Sequence, residues 1–344
     1  LILRKDYTMK AIFFYKLALI CTIAMLYAVG MEGQETMFQS FQAEPDLSIT
    51  VISNWDTLRL QTHDDETKAK TLYNGTEWKT ELQLRGVSRR VKCDSSLTPF
   101  RLQFKRKELK KAGFKEMRNH KIVTYCKESD AGLENLQEEI LIYQLYEILT
   151  DQSFRSVVAQ LSQRWTDDEH PERTIQVLIV EPNKEMADRL GGIEVKTYSY
   201  PADSINAESY NRNALFQFMI GNFDWSQAAQ RNIKTIAVNS KALIVPYDFD
   251  YSAIVSPSYA SMPANFGLVD FKDRIYLGEY FIDQILEMEA MFLGKKEQLQ
   301  EHILNFEGLK KFRRKQINKY LDIFFDFIED PDHVLEFKTI LPFK

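Results

Sequence analysis

Apolar and polar residues alternate along several short stretches in the first half of the chain, and longer helical stripes dominate the second half. The alternation over 77–85, with Trp78, Leu82 and Leu84 on one side, has the period of a strand. Apolar runs at 47–51, 100–104 and 121–125 predict further strands. The segment 134–150 places Leu136, Ile140, Leu141, Leu145, Ile148 and Leu149 on one stripe, as a helix buried along one face requires. The stretches 154–165 and 174–180 read as two strands joined by the acidic, polar turn 167–172, a hairpin. A helix is predicted over 207–220. Pro257 and Pro263 then mark a loop, and helical patterns cover 279–304 and 309–328, with Pro331 ending the second. No repeat or low-complexity linker interrupts this order. Strands, one helix, two strands and then mostly helices predict an α+β domain of two lobes with a cleft between them.

The candidate chemistry lies at two apolar runs. The run Phe218 to Ser226 (FMIGNFDWS) leads into Asn222 and Asp224, and the run Leu243 to Ser252 (LIVPYDFDYS) leads into Asp248 and Asp250. If the second run is a strand to its end, Asp248 and Asp250 share a face while Phe249 turns inward. Two carboxylates on one face suit Mg²⁺, which takes a few carboxylates and completes its shell with water and phosphate oxygens. A third carboxylate from a nearby loop can orient a nucleophile, which together is the minimum for phosphoryl transfer. The Asp-x-Asp pattern also fits a dehalogenase-type nucleophile, although that fold needs βα units where this chain has helices, or a metal-binding glycosyltransferase pair. Asp224 could instead cap a short helix over 225–230.

Composition narrows the field. At 44% hydrophobic and 12% aromatic, the chain has the material for a core, and its net charge of −5 argues against a nucleic-acid partner. The segment 101–121 holds nine basic residues against Glu108 and Glu116, which reads as a solvated face. Near the start, Met9, the basic Lys10 and Lys16, the apolar run 17–29 and the small residues Ala28 and Gly30 predict a signal peptide over 9–33. The chain is then exported, to a periplasm or beyond, with no stable membrane span once the signal is removed. A single domain over 34–344 would follow, divided near residue 181. Cys93 and Cys126 remain after cleavage, and an oxidising compartment predicts a disulfide between them. His170 and His302 lie too far from them in sequence to suggest a zinc site.

Several of these residues together resemble the CotH-type atypical kinases, loosely and over about 80–255: Arg85-Gly86 before a basic strand, the hairpin ending at Ile179-Val180-Glu181, Asn222-x-Asp224, Asn232, and Asp248-x-Asp250. The resemblance implies a two-lobed protein-kinase-like fold, with a β-rich N-terminal lobe carrying one helix (about 45–181) and a mainly helical C-terminal lobe (about 182–344). It implies ATP and Mg²⁺ as cofactors and a protein or envelope component as acceptor. It makes Asp224 the catalytic aspartate, and Asn232, Asp248 and Asp250 the metal side. Arg101 or Lys105 would contact phosphate, Glu139 would pair with that cation, and Glu181 would lie on the cofactor side. No Gly-x-Gly-x-x-Gly occurs, so Gly86 alone would let backbone approach phosphate, and Ala253 stands where related sequences carry glycine. The competing expectation is an exported kinase-like module that binds a ligand without turnover.

Overall fold

The computed structural model describes residues 34–343, apart from 61, 63–64, 87–91, 95–96, 168–169, 196–199, 263 and 265. The expected signal segment lies outside the described residues. Strands β1 (Ser48–Ser53), β2 (Thr67–Tyr73), β3 (Thr76–Leu84), β4 (Phe100–Phe104), β5 (Asn119–Val123), β6 (Ser156–Trp165) and β7 (Arg173–Val180) form a closed barrel in the order β1-β2-β3-β4-β5-β7-β6. Neighbours are antiparallel except β1 and β6, whose parallel pairing from Ser48↔Gln160 to Ser53↔Trp165 closes the ring. Period-two burial fills the inside: Ile49 and Val51, Leu82 and Leu84, Phe100, Leu102 and Phe104, His120 and Ile122. Helix α1 (Met37–Gln42), started by a capping box between Thr36 and Gln39, adds the fully buried Met37, Phe38 and Phe41 to this core. The Phe41 ring packs edge-on to Tyr73 and His120 at centroid distances of 4.9 and 5.5 Å.

Strand β7 is buried on both faces. Ile175, Val177 and Ile179 belong to the barrel core, and Leu178 and Val180 belong to a second core built with helices. That core contains α4 (Asp130–Leu149), α6 (Ala207–Ile220), α7 (Ile285–Asn305) and α8 (Lys311–Glu329). The shorter α2 (Trp55–Leu60), α3 (Arg106–Lys111) and α5 (Asn183–Arg189) complete eight helices among the described residues. A three-stranded antiparallel sheet, β8 (Ile193–Val195), β9 (Ile233–Val238) and β10 (Lys241–Pro246), packs against α6, and β11 (Arg274–Ile275) pairs with β12 (Ile340–Leu341).

This overturns the expected two-lobed kinase fold with a β-rich first lobe and a helical second one. The β-structure is a closed seven-stranded mixed barrel, and a further sheet sits among the helices. Closure depends on β2, which the hydrophobic pattern hides because, of its buried positions, Thr67 and Thr71 are polar and only Tyr73 is apolar, while Ala69 is small and only partly covered. Its turn into β3 is Asn74-Gly75, both at positive φ (46° and 69°), the dipeptide suited to a tight hairpin.

Cys93 and Cys126 are disulfide-bonded, with Cα atoms 4.6 Å apart, as expected. No helix among the described residues is long and apolar enough to cross a membrane.

Free-thiol labelling of the denatured, unreduced protein is expected to find Cys93 and Cys126 blocked. Replacing both by serine should cost roughly 3–4 kcal/mol of unfolding free energy, because the cross-link closes a loop of sequence separation 33. Stoichiometric labelling of both would contradict the bridge.

A second expectation concerns Glu185, buried on α5, whose carboxylate accepts a hydrogen bond from the Thr36 hydroxyl at the start of α1. Burial raises its pKa from 4.5 to about 7, against the pull of that hydrogen bond. Between those values the folded state holds a proton that the unfolded state has lost. The group's contribution therefore falls as pH rises through this window. Melting curves from pH 5 to 8 should show a loss of stability with rising pH that Glu185→Gln reduces; an unchanged profile in the variant would contradict this.

Candidate functional site

Helix α6 delivers the first part of the site. It ends at Gly221 in the left-handed region (φ 66°), and a Cβ there would lie 2.2 Å from the Tyr320 hydroxyl and 2.6 Å from the Ala253 Cβ. Glycine is required for both the turn and the close approach. The chain then enters Asn222, which is buried and held at both ends of its amide. Its Nδ2 donates to Gln217 Oε1 (2.9 Å), and its Oδ1 accepts from the Asp224 backbone N–H (2.9 Å). Asp224 therefore follows a locked turn. No helix covers 225–230, so Asp224 caps none.

Asn232, at φ 53° just before β9, fixes Asp224 from the other side. Its Nδ2 donates to the Asp224 carbonyl (2.6 Å) and to Oδ2 (3.1 Å), while Arg231 Nε lies 3.3 Å from Oδ1. Burial raises the Asp224 pKa above the usual carboxylate value. Arg231 and Asn232 pull it back, and the charge of Asp250 raises it further.

The hairpin β9–β10 brings in the second part. Strand β10 stops at Pro246, so Asp248 and Asp250 do not alternate along a strand as expected. Asp248 sits at φ 64°, in a turn held by its backbone N–H donating to the Tyr143 hydroxyl (3.0 Å) from α4. Phe249 is wholly buried, with ring centroids 4.9 Å from Tyr143 and 5.7 Å from Phe216. Aromatic packing thus anchors the turn between a half-buried Asp248 and a buried Asp250. Asp250 Oδ2 accepts from the Tyr259 hydroxyl at 2.6 Å.

Asp224, Asn232, Asp248 and Asp250 all line one cavity of about 360 Å³, facing Arg85, Gly86 and Lys92. Gly86 is at φ 71°, and Lys92 neighbours the disulfide, its Nζ donating to the Tyr259 carbonyl (3.3 Å). Acidic and basic walls therefore meet across one space. Among the described residues no three histidine, cysteine, aspartate or glutamate side chains are grouped to hold a metal. A cation here would have the Asp248 and Asp250 carboxylates, with oxygens of water or substrate completing its shell. That donor chemistry fits Mg²⁺.

No family model matches the chain, and none of the curated proteins does.

The remaining expected residues lie elsewhere. Strand β4 ends at Phe104, so Lys105 leaves the strand face and pairs with Glu81. Arg101 donates to Gln83 Oε1 at 2.6 Å and lines a different cavity. Neither cation meets Glu139, which is buried in α4 one turn before Tyr143, where its charge helps keep the tyrosine hydroxyl protonated behind the larger effect of burial. Glu181, also buried, clamps Arg189 through both oxygens (2.9 and 2.8 Å) and accepts the Arg155 N–H (3.0 Å), fixing the end of β7 to α5.

Lys121 is the residue that sequence reasoning missed. On β5, His120 and Ile122 face the barrel core, so Lys121 and Val123 face the other way. The Lys121 ammonium lies over the rings of Phe154 (4.9 Å) and Tyr247 (4.7 Å), and its nitrogen is buried with no hydrogen-bond partner among the described residues. Burial drives its pKa well below the usual lysine value. Arg85 and Lys234 push the same way, while Asp248 and Glu194 oppose them. The signal available in sequence was strand alternation inside the basic run: a strand over 119–123 puts this lysine at its centre.

Proposed function

We propose that the cavity binds a divalent cation together with the phosphates of a nucleotide, and that the chain transfers a phosphoryl group to an acceptor hydroxyl. The observation that carries this reading is the convergence of Asp224, Asn232, Asp248 and Asp250, from two separate turns, on one cavity that Arg85 and Lys92 also line. Asp248 and Asp250 would hold the cation, Tyr259 keeping Asp250 oriented. A cation bound there would neutralise phosphate charge that the aspartates otherwise repel. Arg85 and Lys92 supply the positive wall for the phosphates. Asp224, fixed by Asn222 and Asn232 and with its pKa raised, is suited to orient an acceptor hydroxyl and take up its proton. The resemblance to CotH-type kinases supports the choice of ATP and Mg²⁺ at the level of these residues only, since the fold expected from it does not hold. The disulfide and the lack of a membrane-spanning helix among the described residues are compatible with an exported chain. An acceptor in a protein or the cell envelope fits that setting.

One observation favours a second reading, a module that binds a ligand without turnover. Both Asp224 oxygens already have partners, Arg231 and Asn232.

Isothermal titration with and without Mg²⁺, paired with a transfer assay, separates the readings. Wild type should bind nucleotide more tightly with Mg²⁺ than without, and Asp248→Ala should lose that increment. Asp224→Ala should keep it and lose transfer, because holding the ligand does not require a group that orients the nucleophile. If Mg²⁺ leaves nucleotide affinity unchanged in wild type, the metal–nucleotide reading fails. Metal-dependent binding without transfer to protein or water would leave the binding module.

A further inference from the structure

Behind Lys121 lies a second cavity of about 390 Å³, whose charge balance differs from the first. One wall carries Arg101 from β4, Arg106 from α3, Arg118 from the segment before β5, and Lys121 itself. The first cavity sets aspartates against its cations, whereas the acids here are Glu116 and Glu194. Glu194 is already engaged by Lys234 Nζ (3.1 Å) and Asn183 Nδ2 (3.0 Å). Lys184, at the rim, spends its charge on Asp188 at 2.9 and 2.8 Å.

The cations of the wall are only partly satisfied. Arg101 donates to the neutral amide of Gln83 (2.6 Å), and burial and the nearby Arg85 both weaken its hold on its proton. Arg118 pairs with Glu81 through Nη2 (3.0 Å), yet its Nε is buried without a hydrogen-bond partner among the described residues. The buried Lys121 nitrogen is in the same position. Like charges gathered in partly desolvated surroundings repel, and buried donors without acceptors cost free energy. An oxyanion between these side chains would turn both penalties into attraction. Guanidinium groups in particular match the paired oxygens of a phosphate. The apolar side chains of the lining, Met117 and Pro182, offer no aromatic face on which a base could stack.

We propose that this second cavity is a metal-independent site for a phosphate-bearing ligand, held by Arg101, Arg106, Arg118 and Lys121. The volume exceeds that of a bare phosphate, which suits a pyrophosphate or a phosphate ester of a small polar body. The site does not depend on cation binding at Asp248 and Asp250, and it would stand if the metal–nucleotide reading failed.

The test is titration of the full chain with inorganic pyrophosphate in the presence of EDTA. Wild type and Asp248→Ala should bind with similar affinity. Arg106→Glu, at an exposed position where folding is not at risk, should bind at least about tenfold more weakly, as loss of a charge-assisted contact implies. Lys121→Met should weaken binding in the same direction, its melting curve showing whether the fold is kept; Arg106→Glu decides the matter if it is not. Three results would overturn the proposal: no pyrophosphate binding in EDTA, Arg106→Glu binding like wild type, or binding markedly strengthened in Asp248→Ala, which would place the anion in the first cavity, where that carboxylate repels it without metal. Pyrophosphate should also displace any nucleotide that binds without metal, which separates this site from the metal-dependent increment.

Discussion

The parallel pairing of β1 with β6 is the constraint on which the rest depends. It joins residues more distant in sequence than any other strand pair in the barrel, and it leaves the seven-stranded ring with no open edge. Closure forces each strand to turn one face inward, so the outward faces of β5 and β7 become the surface on which the helical part is built. Leu178 and Val180 enter the second core, and Lys121 and Val123 are brought toward the turn at Tyr247–Asp250. A shift of β5 by one residue would exchange Lys121 with Ile122 and place an ammonium in the barrel core. The candidate site therefore takes Arg85 from just after β3, Lys92 from the segment beside the disulfide and Val123 from β5, and its acidic residues from the turns after α6 and β10.

The acidic and basic residues are held differently. The aspartates ride on turns fixed by backbone strain and side-chain hydrogen bonds: Gly221, Asn232 and Asp248 at positive φ, Asn222 gripping Asp224, and Tyr143 gripping Asp248. Non-glycine residues in the left-handed region cost free energy and persist where neighbouring contacts over-determine them, as Phe249 between two rings does here. Of the cations, Lys92 is held by the Tyr259 carbonyl, and Lys121, in the second cavity, by sheet register and the aromatic faces of Phe154 and Tyr247. In the proposed reading, charge neutralisation sets which ligand fits: phosphate beside the cations, a divalent cation beside the aspartates. The second cavity has the cations without the aspartates, so the same rule assigns it an anion alone.

Much of this was legible in the residues. The helix expected over 207–220 is α6 at those bounds, and Asp224, Asn232, Asp248 and Asp250, expected as one set, line one cavity. The reason given for Asp248 and Asp250 was nonetheless incorrect, because Pro246 ends the strand and a turn, rather than alternation, presents both. Barrel closure was not legible. β2 turns two threonines, an alanine and a single aromatic, Tyr73, toward the core, and parallel pairing between β1 and β6 leaves no local signature. Arg101 and Lys105 lie away from the first cavity, whose cations are Arg85 and Lys92, and a run of nine cations hides which of them lies mid-strand, so that only the register of β5 singles out Lys121 in the second cavity.

The central claim is that a divalent cation and a phosphate chain meet at Asp248 and Asp250. Pulsed electron–nuclear spectroscopy of Mn²⁺ added to the full chain with ATP tests it most directly, because it reads the metal's own ligands. A bound Mn²⁺ coupled to ³¹P in wild type, with that protein-held species lost in Asp250→Ala, is the predicted result. A Mn²⁺ spectrum identical to that of Mn²⁺ and ATP without protein would contradict it.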